Sequence, residues 1–190
     1  LAPAGALLLL TAVLFQPEPM ATSIQRAALV ALGVVYCAAL IPYLAVLRGR
    51  PDDSHGLGLC LMALFCTWAS DTGAYFAGRT LGRRKLYPKI SPSKTVEGGV
   101  GGLLTAVAMA FAIRGALHLD LSPLHTGLLG AVSAAFGAVG DLCESMLKRS
   151  VGAKDSSKLI PGHGGVLDRF DGVMFAVPAF YIYIALFLGH

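Results

Sequence analysis

Charge is scarce in this sequence. Asp, Glu, Lys and Arg make up only 14% of its 190 residues, against about 25% in an ordinary soluble domain. A chain with so few charges cannot cover a water-exposed surface along its whole length. Zinc and disulfide chemistry also lack their usual patterns. The four cysteines, Cys37, Cys60, Cys66 and Cys143, all lie inside apolar blocks, and none forms a Cys-x-x-Cys. They read as small buried side chains. No strand alternation and no low-complexity tract is visible, and no stretch is left over for a soluble domain. The opening run LAPAGALLLLTAVLF has no basic segment before it, as a signal peptide would. The expectation is a fragment whose upstream spans lie outside this sequence.

What fills the chain is apolar. Hydrophobic residues account for 55%, and the mean hydropathy is +0.68. They come in blocks of about 17 to 25 residues, the length that crosses a bilayer as a helix. The predicted fold class is all-α, a polytopic transmembrane helical bundle. Six spans are expected, over 1–15, 27–47, 56–78, 97–113, 127–148 and 166–189. Residues 1–55 read as N-terminal spans, and 56–190 as a transmembrane core with loops 79–96 and 148–169.

Lys and Arg set the orientation. If the spans alternate, three connectors share one side. They carry Arg26, then Arg79, Arg83, Arg84, Lys85, Lys89 and Lys94, then Lys148, Arg149, Lys154, Lys158 and Arg169. Only Arg48, Arg50 and Arg114 fall on the other side. The basic side is therefore expected to be cytoplasmic, with the C-terminal Gly189 and His190 outside.

Acids within membrane helices are costly and usually functional. Asp71 lies late in the third span, Asp141 and Glu144 late in the fifth, and Asp168 and Asp171 early in the sixth. All five are thus expected at the cytoplasmic ends of their helices. Asp141 and Glu144 are three residues apart, as are Asp168 and Asp171, so each pair shares a helix face. Clustered carboxylates repel unless a cation sits among them. Mg²⁺ suits them, because it takes one or two carboxylates and completes its shell with water and phosphate.

The bases answer the acids. RTLGRRKLYPKISPSKT, residues 79–95, holds six basic residues. Attraction to anionic lipid explains part of this. Pro88 and Pro92 stiffen the segment, Ser93 or Thr95 is placed to cap the next helix, and Glu97 falls in its first turn. A helix start flanked by Lys94 suits a phosphate. The four glycines of EGGVGG, residues 97–102, read as close helix packing. KRSVGAKDSSKLIPGHGG, residues 148–165, repeats the chemistry with lysines, serines and glycines whose backbone N–H groups suit an anion nest. His163 reads as a general base, a phosphate donor or a structural hydrogen bonder. Carboxylates for Mg²⁺ and cations for phosphate, with no soluble domain, point to phosphoryl or nucleotidyl transfer to a lipid.

SMLKRSVGAKDSSKLIPGHGGVLDRFD, residues 145–171, closely resembles the signature of the phosphatidate cytidylyltransferase (CDP-diacylglycerol synthase) family. SDTGAYFAGRTLGRRKLYPKISPSKTVEGGVGG, residues 70–102, and GDLCES, residues 140–145, are similar to two further blocks of that family. The first 55 residues match only as hydrophobic spans. The resemblance implies that CTP and phosphatidate give CDP-diacylglycerol and pyrophosphate, with Mg²⁺ as cofactor. It implies Asp141 and Asp168 as metal ligands, Asp171 as their partner and Asp71 as a further candidate. Lys94 and Arg169 are assigned to phosphates. Lys148, Arg149, Lys154 and His163 are assigned to the phosphates of CTP or lipid. Arg79, Lys89, Ser93, Asp155, Gly164 and Gly165 complete the substrate-binding set. The resemblance also implies a homodimer in the bacterial inner membrane, with the active site facing the cytoplasm and no nucleic-acid partner. A cytidylyltransferase for another lipid phosphate, such as an isoprenoid ether lipid, is the alternative. A lipid kinase is less well matched, and the aspartate array of a CDP-alcohol phosphotransferase is absent. A cation transporter would spread its acids across the membrane depth, whereas these sit at one end.

Overall fold

The computed structural model describes residues 11, 23–36, 42–49, 54–150, 152–153, 156–157, 165 and 167–189. The chain divides into two compact units, Leu1–Pro42 and Tyr43–His190. In the first, helix α1 spans Ser23–Val34. The second begins with the short helix α2, Tyr43–Arg48. Within the block expected as one span over 27–47, the described residues lie in α1 and α2, and residues 37–41 fall outside them. The span expected over 1–15 lies, apart from Thr11, outside the described residues, as does Cys37.

The rest of the second unit is an up-and-down bundle. Its helices are α3 (Ser54–Leu81), α4 (Val96–Ala116), α5 (Pro123–Ser150) and α6 (Leu167–Phe187). All four are long and apolar enough to cross a membrane. The protein is thus an all-α membrane protein, as its composition predicts. At 1.5 Å per residue the 21-residue helices α4 and α6 are about 31 Å long, close to the hydrocarbon thickness. The 28-residue helices α3 and α5 reach about 42 Å. They exceed the apolar slab by roughly two turns, and their C-terminal turns carry the charge.

The helices approach closely because their contact faces are small. In α4 the buried residues are Gly98, Gly102, Ala106 and Ala110, one every four. A Cβ at Gly102 would stand 2.8 Å from the Ser70 carbonyl oxygen of α3, and one at Gly98 would stand 2.9 Å from that of Ala74. Between α4 and α5, a Cβ at Gly130 would fall 2.8 Å from Val107 Cα. Without a hydrophobic driving force between helices in lipid, this backbone-to-backbone packing supplies the association. Gly102→Leu is therefore expected to force α3 and α4 apart and lower the thermal midpoint in detergent. A melting curve checks it, and Gly99→Ala is the control, because a Cβ there meets nothing within 4 Å. Phe180, Met62, Leu129 and Val177 fill the remaining core. Cys60 and Cys66 are buried and free, and Cys143 is half-buried and free. Cys60 and Cys66 belong to the hydrophobic core, whereas Cys143 lies between Asp141 and Glu144 near the charged end of α5.

The segment between α3 and α4 is not a plain loop. It folds into an antiparallel hairpin of β1 (Lys85–Tyr87) and β2 (Ser91–Thr95), with Lys85 opposite Thr95 and Tyr87 opposite Ser91. Thr95 caps α4, its hydroxyl accepting from the Gly98 N–H at 3.1 Å. The Glu97 carboxylate reaches back to accept from the Arg83 and Arg84 N–H groups at 3.0 and 3.2 Å. The first turn of α4 thus fastens the end of α3 and the entry to the hairpin together.

Candidate active site

The C-terminal turns of α3 and α5, the N-terminal turns of α4 and α6 and the hairpin meet at one end of the bundle. A cavity of about 430 Å³ opens there. Asp71, Tyr75 and Arg79 of α3 line it, with Ser93 and Lys94 of β2 and Asp141 of α5. The remaining wall is small or apolar, including Ser70, Ala74, Gly98, Ala134 and Ala138.

Two charge clusters sit at this end. In the first, Lys94 Nζ pairs with Asp141 Oδ2 at 2.5 Å. Asp71 and Asp171 lie within electrostatic reach of Asp141, of each other and of Lys94. Ser145 Oγ donates to Asp141 Oδ1 at 3.3 Å. Asp171 Oδ1 accepts from its neighbour Gly172 N–H at 2.7 Å. Asp71 makes no hydrogen bond or ion pair with any described residue. Three carboxylates and one ammonium leave this cluster short of positive charge.

In the second cluster, Lys148 Nζ bridges two helices. It pairs with Glu144 on its own helix and with Asp168 Oδ1 of α6 at 2.6 Å. Asp168 Oδ2 also accepts from the Ser156 hydroxyl at 2.7 Å, the Ser156 N–H at 3.0 Å and the Gly165 N–H at 2.7 Å. A carboxylate in the first turn of α6 thus ties down the connector between α5 and α6, where the helix dipole also favours it.

Helix geometry explains the division. Each i,i+3 pair of acids rises about 4.5 Å along its helix. One member of each pair, Asp141 or Asp171, joins Lys94, and the other, Glu144 or Asp168, joins Lys148. The two antiparallel helices are pressed together here, since a Cβ at Gly140 would collide with the Asp171 carbonyl. Asp168, expected beside Asp141 as a metal ligand, therefore turns its carboxylate to Lys148, Ser156 and Gly165.

The other expected site residues are distributed as follows. Ser93 and Arg79 line the cavity. Lys89 is exposed at the hairpin turn. Arg149 donates to the Ala153 carbonyl at 3.3 Å. Arg169 is exposed in the first turn of α6. Lys154, Asp155, His163 and Gly164 lie outside the described residues. Two residues outside the expected set join the site: Ser156 and Tyr75. Glu144, one of the five acids expected at this end, is 1% exposed, and among the described residues its oxygens make no hydrogen bond beyond the Lys148 ion pair. Its i,i+4 spacing to Lys148 is the sequence signal for that pairing.

Among the described residues, no three His, Cys, Asp or Glu side chains converge closely enough to hold an ion unaided. The donor chemistry fits Mg²⁺, which binds through one or two carboxylates and keeps waters and phosphate oxygens in its shell. Asp71, without a hydrogen-bond or ion-pair partner among the described residues, and Asp141 line the same cavity and match that pattern of one or two carboxylates.

A family model described as "Cytidylyltransferase family" matches residues 2–187. Proteins named phosphatidate cytidylyltransferase are similar to this chain. That of Haemophilus influenzae is 49% identical over 160 residues, covering 77% of this chain and 54% of that protein. That of Bacillus subtilis is 40% identical over 158 residues, covering 83% and 58%. That of Staphylococcus aureus strain COL is 44% identical over 151 residues, covering 77% and 57%. The chain spans somewhat more than half the length of the curated relatives it matches.

Proposed function

Because this chain belongs to the cytidylyltransferase family, we propose that it carries the catalytic core of a phosphatidate cytidylyltransferase. Its substrates are CTP and phosphatidate, and its products are CDP-diacylglycerol and pyrophosphate. The observation that carries this reading is the cavity at the charged end of four membrane-spanning helices, where Asp71 and Asp141 face Lys94. A water-soluble nucleotide and a membrane-embedded phosphate can meet only at such a boundary.

The chemistry needs little acid or base. An oxygen of the phosphatidate phosphate, already anionic, bonds to the α-phosphorus of CTP. The bond from that phosphorus to the α,β-bridging oxygen breaks, and its electron pair leaves on pyrophosphate. The task is to bring two anions together and to stabilise the crowded phosphorus. Mg²⁺ held by Asp141 and Asp71, with Asp171 close by, would supply the screening charge and Lewis acidity. Lys94, held beside Asp141, supplies a second positive charge to the same phosphates. Lys148 is fixed by Glu144 and Asp168 about one helical turn away, where its charge adds to the positive potential at this end of the bundle. The basic side of the protein faces the cytoplasm, where CTP is made, and the membrane is the bacterial inner membrane.

The test is purified protein in detergent with labelled CTP, supplied with phosphatidate, with another lipid phosphate or with neither. Magnesium-dependent liponucleotide from phosphatidate is the expected result. Product only from a different lipid phosphate would overturn the substrate assignment and leave the chemistry. No product from any lipid phosphate would overturn the reading.

A further inference from the structure

Asp71, Tyr75 and Arg79 are spaced i, i+4 and i+8 on α3 and line one side of the cavity. Two cations line that cavity, Lys94 and Arg79. The Lys94 charge is answered by Asp141 at 2.5 Å. Arg79 has no carboxylate partner among the described residues. Its Nη1 donates to the Tyr75 hydroxyl at 2.8 Å, and its guanidinium lies 6.0 Å from the centre of the same ring. Neither contact neutralises it. An arginine that must face a neutral phenol when acids stand two turns below it is held for an anion that arrives from elsewhere.

We infer that Tyr75 positions Arg79 as the binding site for the terminal phosphates of the nucleotide, and hence for the pyrophosphate that leaves. This rests on the nucleotidyl-transfer reading above. Arg79 is two helical turns beyond Asp71, about 12 Å along the axis toward water. A triphosphate whose α-phosphorus lies at the carboxylates extends toward that mouth, whereas a lipid phosphate comes from the bilayer side. Arg presents a planar fork that pairs two N–H groups with phosphate oxygens. The phenol fixes that fork, because a free arginine on an exposed last turn would lose rotamer freedom on binding. Tyr75 is a positioning residue, acting through Arg79.

The experiment has two arms. In the first, binding of inorganic pyrophosphate with Mg²⁺ is measured by calorimetry on the wild-type protein, Arg79→Ala and Tyr75→Phe, without turnover. In the second, steady-state constants for CTP, phosphatidate and pyrophosphate inhibition are measured on the same proteins. Arg79→Ala is expected to weaken pyrophosphate binding and raise the CTP KM together by about 10- to 100-fold, the worth of a lost charge-assisted contact. Tyr75→Phe, which keeps the ring and loses only the hydroxyl, is expected to shift the same two constants in the same direction by about threefold to tenfold. The phosphatidate KM is expected to stay constant in both. A rise in the phosphatidate KM alone would overturn the inference by assigning Arg79 to the lipid phosphate. Unchanged pyrophosphate binding in both variants would overturn it outright. Failure of the nucleotidyl-transfer reading shows up separately, as a wild-type protein that forms no liponucleotide. If Arg79→Ala does not fold, Tyr75→Phe and Arg79→Lys, which keeps the charge and loses the fork, still decide the matter.

Discussion

Asp141→Asn is expected to lower turnover by about 10²- to 10³-fold, the scale on which one electrostatic contact to a transition state counts. The protein should remain folded and inserted. Asp141 faces the cavity from α5, is half-buried, and holds Lys94 at 2.5 Å. An amide there removes one carboxylate from the set of three and releases the ammonium from its ion pair. Both changes act on the charge that meets the phosphates, and neither removes a packing contact. The melting midpoint should therefore move little while the rate collapses. Extra Mg²⁺ should restore part of the rate if the lost term is metal affinity. Near-wild-type turnover in a folded Asp141→Asn protein would remove the residue from the site.

Asp168→Asn is expected to act differently, lowering both activity and stability. Its carboxylate accepts from Lys148, from the Ser156 N–H and hydroxyl, and from the Gly165 N–H. An amide replaces one acceptor oxygen with a donor that faces other donors. Hydrogen bonds to charged groups contribute about 1.5–3 kcal/mol each, so the connector between α5 and α6 should come loose from the first turn of α6. Lys148 would keep only Glu144. Turnover is expected to fall by about 10²-fold or more, as for loss of a preorganised charge, and the thermal midpoint should fall with it. Protease digestion of the connector, compared with wild type, gives a second readout. A protein with wild-type stability and no activity would instead make Asp168 a direct ligand of metal or substrate.

The contrast between these two aspartates marks how far the sequence could be read. The blocks at 56–78, 97–113, 127–148 and 166–189 correspond to α3, α4, α5 and α6, because twenty apolar residues in a row have few alternatives in a bilayer. The positions of Asp71, Asp141, Glu144, Asp168 and Asp171 at one end of the bundle followed from the same register. Their pairing did not. Acids three apart share a face but differ by almost a helical turn in height, and the crossing of α5 and α6 at Gly140 decides which cation each one meets. Glu144 was visible as an acid but not as a buried one. The hairpin was invisible for a different reason. KLY and SPSKT have no apolar alternation and are largely exposed, so their pairing depends on backbone register, the three-residue turn and the reach of Glu97. The sequence offers Ser93 or Thr95 as the cap, and geometry selects Thr95. Ser93 instead lines the cavity.

The central claim is that this site moves the nucleotidyl group of CTP, not its terminal phosphate, onto a lipid. One measurement separates these most directly. The protein is incubated with phosphatidate, Mg²⁺ and CTP carrying label on either the α- or the γ-phosphorus, and the lipid is extracted. The account predicts α-label in the lipid and γ-label released as pyrophosphate. Label from the γ-phosphorus in the lipid, with the α-phosphorus left in water, would contradict it and make the protein a lipid kinase.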